Sequence, residues 1–126
     1  MNEHIGKMEK NKTAQEGEDK AAEYLEKRGM EILARNWRYG HSEIDLIVRD
    51  GERIVFIEVK TRRTLKFGFP ETAVKEGKKK AIFRASEEYI YKSGHKGEIR
   101  FDIIAVILEK KLELLHLKDA FFPTGY

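Results

Sequence analysis

The chain has 126 residues and no cysteine, so it is long enough for one modest core and carries no disulfide, thiolate nucleophile or cysteine-based zinc site. Charged residues make up 37% of it, with 25 Lys and Arg against 22 Asp and Glu, a mildly basic balance that is weak on its own as a sign of a polyanionic partner. The opening MNEHIGKMEKNK lacks the apolar core of a signal peptide, and no run is long and apolar enough to span a bilayer. A cytoplasmic protein with no membrane partner is expected.

Residues 1–12 read as a polar, flexible tail ahead of a single domain over 13–126. Thr13-Ala14-Gln15-Glu16 offers a capping box, a hydroxyl with a carboxylate three residues on. It predicts a helix from there to about Arg28, ended by Gly29 in a left-handed conformation. Strand-like runs follow at 30–38, 42–49 and 53–60, with Asp50-Gly51 as a hairpin signal between the last two. A Gly- and Pro-bearing loop over 61–70 leads to a helical segment over about 71–92, then to strands at 99–108 and 112–117. The order predicts an α/β domain, a mixed β-sheet flanked by helices.

The third strand is the most apolar run, yet it ends in Glu58-Val59-Lys60. Side chains alternate along a strand, so Glu58 and Lys60 share one face and Val59 takes the other. On the preceding strand Glu43 and Asp45 share a face in the same way. A two-residue hairpin loop at Asp50-Gly51 sets Asp45 opposite Phe56, whereas a four-residue loop over 50–53 sets it opposite Glu58. In both registers Asp45 and Glu58 lie on one face, as diagonal or direct neighbours. Two desolvated carboxylates side by side need a proton, a cation or a metal. An oxygen-only cluster prefers a hard ion such as Mg²⁺ or Mn²⁺. Lys60 is placed to offset their charge and to hold a water or a phosphate oxygen. Taken alone, Glu-x-Lys at a strand end reads as a solvated edge or a salt bridge; Asp45 on the facing strand strengthens the functional reading.

In the first helix Glu18 falls on the apolar stripe of Ala14, Ala21, Ala22 and Leu25. A carboxylate facing the sheet calls for a partner: either a neighbouring Arg, in a buried salt bridge, or the acidic site itself, with Glu18 as an accessory metal or water ligand. Residues 60–84 hold nine basic residues against two acidic ones. Arg62, Arg63, Lys66, Lys75, Lys78 and Lys79 are therefore candidate contacts for a nucleic-acid backbone. A solvated helix face accounts equally well for Lys78-Lys79-Lys80. Lys78 is distinguished by aligning with the inward stripe of Val74, Ala81 and Ala85. Phe67-Gly68-Phe69-Pro70 is a candidate base-stacking loop or a cap on the core. Asp102, a polar break in an apolar strand, is expected to sit in an internal ion pair. None of the four histidines has a metal-spaced partner.

These motifs together resemble a known family. The order αβββαβ with Asp45, twelve residues, then Glu58-Val59-Lys60 resembles the core of PD-(D/E)XK nucleases, the restriction-endonuclease-like and Holliday-junction-resolvase-like proteins. More narrowly, the chain resembles the YraN-like family. It does so through Gly17-Glu18-Asp19, Arg35-Asn36-Trp37-Arg38, Glu43-Ile44-Asp45, Val55 to Lys60, Phe67-Gly68, Lys78 and Arg100-Phe101-Asp102, with Ser42 where that family has Gly.

The resemblance implies Asp45 and Glu58 as metal ligands, with the Val59 carbonyl completing the site. It further implies that Lys60 positions or activates water and that Glu18 acts as an accessory acid. The implied activity is Mg²⁺- or Mn²⁺-dependent endonucleolytic hydrolysis of DNA, with branched DNA as a candidate substrate. The alternative is a non-catalytic nucleic-acid-binding module on the same fold. Resolvase-like relatives commonly dimerise, so a homodimer is compatible with the resemblance.

Overall fold

A computed structural model describes residues 3–66, 68, 70, 73–109 and 111–123. The elements are α1 (Glu3–Lys27), β1 (Glu31–Tyr39), β2 (Ser42–Asp50), β3 (Arg53–Arg62), α2 (Glu76–Ser93), β4 (Ile99–Leu108) and β5 (Leu112–Leu117). The expected order of a helix, three strands, a helix and two strands is therefore present. The strands form one mixed sheet in the order β1-β2-β3-β4-β5. Only the β3–β4 pair is parallel, because α2 carries the chain back across the sheet between them.

Two helix boundaries differ from expectation. The first helix does not open at Thr13: residues 3–12, read as tail, continue it back to Glu3. They hold two Glu, three Lys and Met8 and contain no proline, so Gly6 weakens the helix there without stopping it. The Thr13 hydroxyl, expected to cap the helix, instead accepts a bond from Arg63 Nε at 2.9 Å. At the other end Gly29 takes φ 84°, as expected of a residue that ends a helix in left-handed geometry. The second helix opens at Glu76 rather than near residue 71, since Lys75 is extended at φ −65°, ψ 149°.

The alternation of β3 builds two cores. Ile54 and Phe56 face Ile82, Phe83 and Ala85 of α2, while Val55 and Ile57 face Ala21, Ala22 and Leu25 of α1. All of these side chains are buried. At roughly 1.5–3 kcal/mol per fully buried aliphatic or aromatic side chain, they hold both helices on the sheet. α1 lies especially close to β3, since a Cβ at Gly17 would come within 1.8 Å of Thr61 Oγ1. Glycine at 17 is what lets the helix approach this far, and it brings the next residue, Glu18, down to the sheet.

Candidate functional site

The hairpin between β2 and β3 closes on Gly51-Glu52, with Asp50 paired to Arg53 and pairing continued to Leu46↔Ile57. Of the two registers open from the sequence, this is the one whose continuation sets Asp45 opposite Glu58. Regular pairing stops one residue short of them, while β3 stays paired to β4 through Glu58↔Ile103 and beyond. β2 therefore parts from β3 where the two acids sit, while staying paired to β1 through Tyr39↔Ser42.

β2 also turns over at Asp45. Leu46 and Val48 belong to the core under α1, yet Ile44 belongs to the core under α2. Residues two apart in a regular strand would share a face. Across from this break, Asn36 in β1 has φ 51°, a left-handed conformation that Asn tolerates better than other residues with a Cβ. Asp45 is held by its neighbour strand, its Oδ2 accepting the Val59 main-chain N–H at 2.8 Å.

Asp45, Glu58, Glu18 and Lys78 line one cleft of about 740 Å³, together with Asn36, Arg38, His41 and Glu43. Glu58 is only 5% exposed and bonds to the Lys78 ammonium from α2. Burial, then the charge of Glu58, pushes the Asp45 carboxyl up to about 8, against the opposing bond from Val59. Burial likewise raises the Glu18 carboxyl, countered by Asn36 and Arg35. Glu18 Oε1 is buried without a hydrogen-bond partner among the described residues. Burial works to lower the Lys78 ammonium, but the bond to Glu58 and the charges of Glu58, Asp45 and Glu43 outweigh it and raise the pKa. The cleft is thus an acidic, partly desolvated site with one ammonium bonded inside it.

The structure brings together Glu18, Asp45, Glu58, the Val59 main chain and Lys78. Lys60 stands two residues beyond Glu58 on β3, partly buried, and does not line the cleft. Arg62, also partly buried, has no hydrogen-bond partner for its Nε among the described residues. Arg63 is engaged with Glu16 at 3.0 Å and with Thr13, and Lys79 pairs with Glu76 at 3.2 Å. Lys66 and Lys75 are exposed. Phe67 and Phe69 of the expected stacking loop lie outside the described residues.

Asn36 and His41 line the cleft although neither was singled out from the sequence. For Asn36 a signal existed, since Asn is depleted in strands and enriched where the backbone turns left-handed. For His41 none did, because only the fold places the β1–β2 turn over the acids.

Asp102 forms the internal ion pair expected of it. It is fully buried and accepts two bonds from Arg100, at 2.8 and 2.9 Å, and one from the Asp119 N–H at 2.9 Å. His116 Nε2 lies 2.7 Å from its other oxygen and the Tyr24 hydroxyl lies 3.1 Å from His116 Nδ1. With its proton on Nε2 the imidazole donates to Asp102 and accepts from Tyr24. This network ties α1 to β4 and β5 and is structural.

Fold and site together define a small mixed α/β domain with paired acids where two neighbouring strands part, covered by one helix on each face. The chain belongs to the uncharacterised protein family UPF0102, whose family model matches residues 17–106. It is similar to the UPF0102 protein of Caldicellulosiruptor saccharolyticus, 42% identical over 118 residues, spanning 90% of this chain and 100% of the relative. The UPF0102 protein of Dictyoglomus turgidum is 41% identical over 126 residues, 99% of this chain and 98% of its own. That of Rhodococcus jostii is 44% identical over 108 residues, 83% and 92% of the two chains. The YraN-like resemblance is thereby established as family membership.

Proposed function

We propose that the cleft is a divalent-cation-dependent phosphodiesterase site acting on DNA. The observation that carries this reading is the Asp45–Glu58 pair: two desolvated acids on parting strands, one fixed by the Val59 amide. A merely structural acid pair has no reason to open on a cleft, and Asp102 illustrates the contrast, closed in by Arg100 and His116.

Among the described residues no group of three or more His, Asp or Glu residues is placed to hold a metal ion. The donors still suit a hard cation. Mg²⁺ needs only one or two carboxylates and keeps several waters, and Glu18 offers a buried oxygen without a hydrogen-bond partner among the described residues. Asp45 and Glu58 would hold the ion with the Val59 carbonyl, and Glu18 would act through water. When bound, such an ion lowers the pKa of coordinated water and neutralises charge on a phosphate. The protein's own part is to keep both acids desolvated and aligned, and to bring basic side chains of β3 and α2 to the phosphate backbone. Lys60 would act on water only from the edge of the cleft.

The resemblance to resolvase-like nucleases makes branched DNA the first substrate to offer. A second reading, a DNA-binding module without catalysis, is favoured by one observation: Lys78 already bonds to Glu58, one of the acids that would hold the ion. Purified protein is to be offered branched, single-stranded and duplex DNA with Mg²⁺ or Mn²⁺, beside Glu58→Ala. Cleavage lost in the variant supports the phosphodiesterase. Binding without cleavage by either protein supports the module, and equal cleavage by both sinks the enzymatic reading.

A further inference from the structure

The molecule buries two carboxylates at single-digit exposure along the central strands, and they are satisfied very differently. Asp102, at 0%, has Arg100, His116 and the Asp119 amide on it. Arg100 itself is 10% exposed and also reaches Asp50. Nothing in that group can leave without opening the core. Glu58, at 5%, has one bonded cation among the described residues, Lys78, whose side chain is 48% exposed. A carboxylate has about four acceptor positions, so a single ammonium leaves most of them unused. Lys78 comes from α2, not from the sheet, on a flexible four-carbon stem that is already half exposed to solvent.

We infer that Lys78 is a resident counter-ion of Glu58, which it must vacate for a divalent cation to be held there. Lys78 thus keeps the acid pair folded and soluble in charge terms while the site is metal-free. Once released at the cleft mouth, it becomes a cation available to a phosphate oxygen. Lys60 lies outside the cleft and has no such exchange to make. This inference rests on the divalent-cation reading above.

The test uses the full chain and Mn²⁺ or Mg²⁺ alone, without DNA. Mn²⁺ affinity is measured by calorimetry for wild type, Lys78→Met, Lys60→Met and Glu58→Gln. Removing a competing charge-assisted bond should tighten Mn²⁺ binding on the order of tenfold in Lys78→Met. Lys60→Met should leave it within about twofold, and Glu58→Gln should abolish it. Removing a positive charge tightens cation binding even without displacement, so a second readout is needed. In the wild type, the slowly exchanging Lys78 ammonium signal in a ¹H–¹⁵N spectrum, assigned by its loss in Lys78→Arg, should disappear as Mg²⁺ saturates. That readout also decides the matter should Lys78→Met fail to fold.

Mn²⁺ binding that depends on Glu58 but is not tightened in a folded Lys78→Met overturns the inference and spares the metal reading. So does an ammonium signal unmoved at Mg²⁺ saturation. No Mn²⁺ binding by wild type or Lys78→Met, or binding indifferent to Glu58→Gln, overturns both.

Discussion

The main-chain N–H of Val59 donates to Asp45 Oδ2 at 2.8 Å, so one acid of the pair is fastened directly to the strand that carries the other. The bond fixes where Asp45 points after β2 has stopped pairing regularly. It also favours the ionised carboxylate, against the burial and the Glu58 charge that push Asp45 up to about 8. Charge and bond can be separated by substitution. Asp45→Asn keeps an oxygen for Val59 and removes the repulsion, and is expected to be at least as stable as wild type in urea while losing divalent-cation binding. Asp45→Ala leaves the amide unpaired and should be about 1–3 kcal/mol less stable than Asp45→Asn. An Asn variant clearly less stable than wild type would mean that the charge itself supports the fold.

The close approach of α1 to β3 gives the second prediction. A Cβ at position 17 meets Thr61 Oγ1 at 1.8 Å and Cγ2 at 2.6 Å, distances no packed interior accepts. Gly17→Ala should destabilise by about 1–3 kcal/mol, the usual range for overpacking, and should lift Glu18 from the cleft. Thr61→Ala removes both of those atoms but leaves its own Cβ, so the double variant should recover part of the loss. A double-mutant cycle in urea measures the coupling; strictly additive effects would show that the helix accommodates the methyl elsewhere.

Much of this arrangement was legible in the sequence. The element order, Gly29 as the helix end, Glu18 on an inward stripe and Lys78 on another all follow from period and propensity. The hairpin register was not, because an acidic residue, a glycine and another acidic residue in a row allow turns of different length. The break at Asp45 was hidden for a related reason. Alternation assigns Ile44 and Leu46 to one face, and only the backbone, with Asn36 left-handed opposite, puts them in different cores. Lys60 illustrates the converse. Sharing a strand face with Glu58 placed it at the acids in principle, but the cleft opens toward β1 and α2 instead.

The Asp102 network should set the acid limit of the fold. Burial alone would raise this carboxyl, but the bonds from His116, Arg100 and the Asp119 amide outweigh it and hold the pKa below the ordinary 3.8. A carboxylate depressed in the folded state binds its proton more readily when unfolded. Its stabilising contribution is therefore complete above the unfolded pKa and disappears as the pH falls through the folded one. Asp102→Asn, which leaves Arg100 only its longer contact with Asp50 at 3.5 Å, should cost about 3–5 kcal/mol at neutral pH. The difference from wild type should narrow steadily below about pH 4. Denaturant unfolding at pH 7 and pH 3 checks both points, and a pH-independent difference would argue against an ionised Asp102.

The basic segment after the acids can be divided by which of its charges are already engaged. Arg63 is held by Glu16 and Thr13, and Lys79 by Glu76. Lys75 is exposed at the extended residue ahead of α2 and is in no ion pair among the described residues. A side chain that contacts phosphate contributes about one unit to the slope of log affinity against log salt. Lys75→Gln should therefore weaken duplex binding across sequences and flatten that slope by about one unit. Arg63→Gln should change the slope by much less and should instead loosen α1 at the end of β3, seen as lower stability. Binding titrations at several salt concentrations separate the two, and an Arg63→Gln slope change as large as that of Lys75→Gln would place Arg63 on the phosphate backbone despite its internal partners.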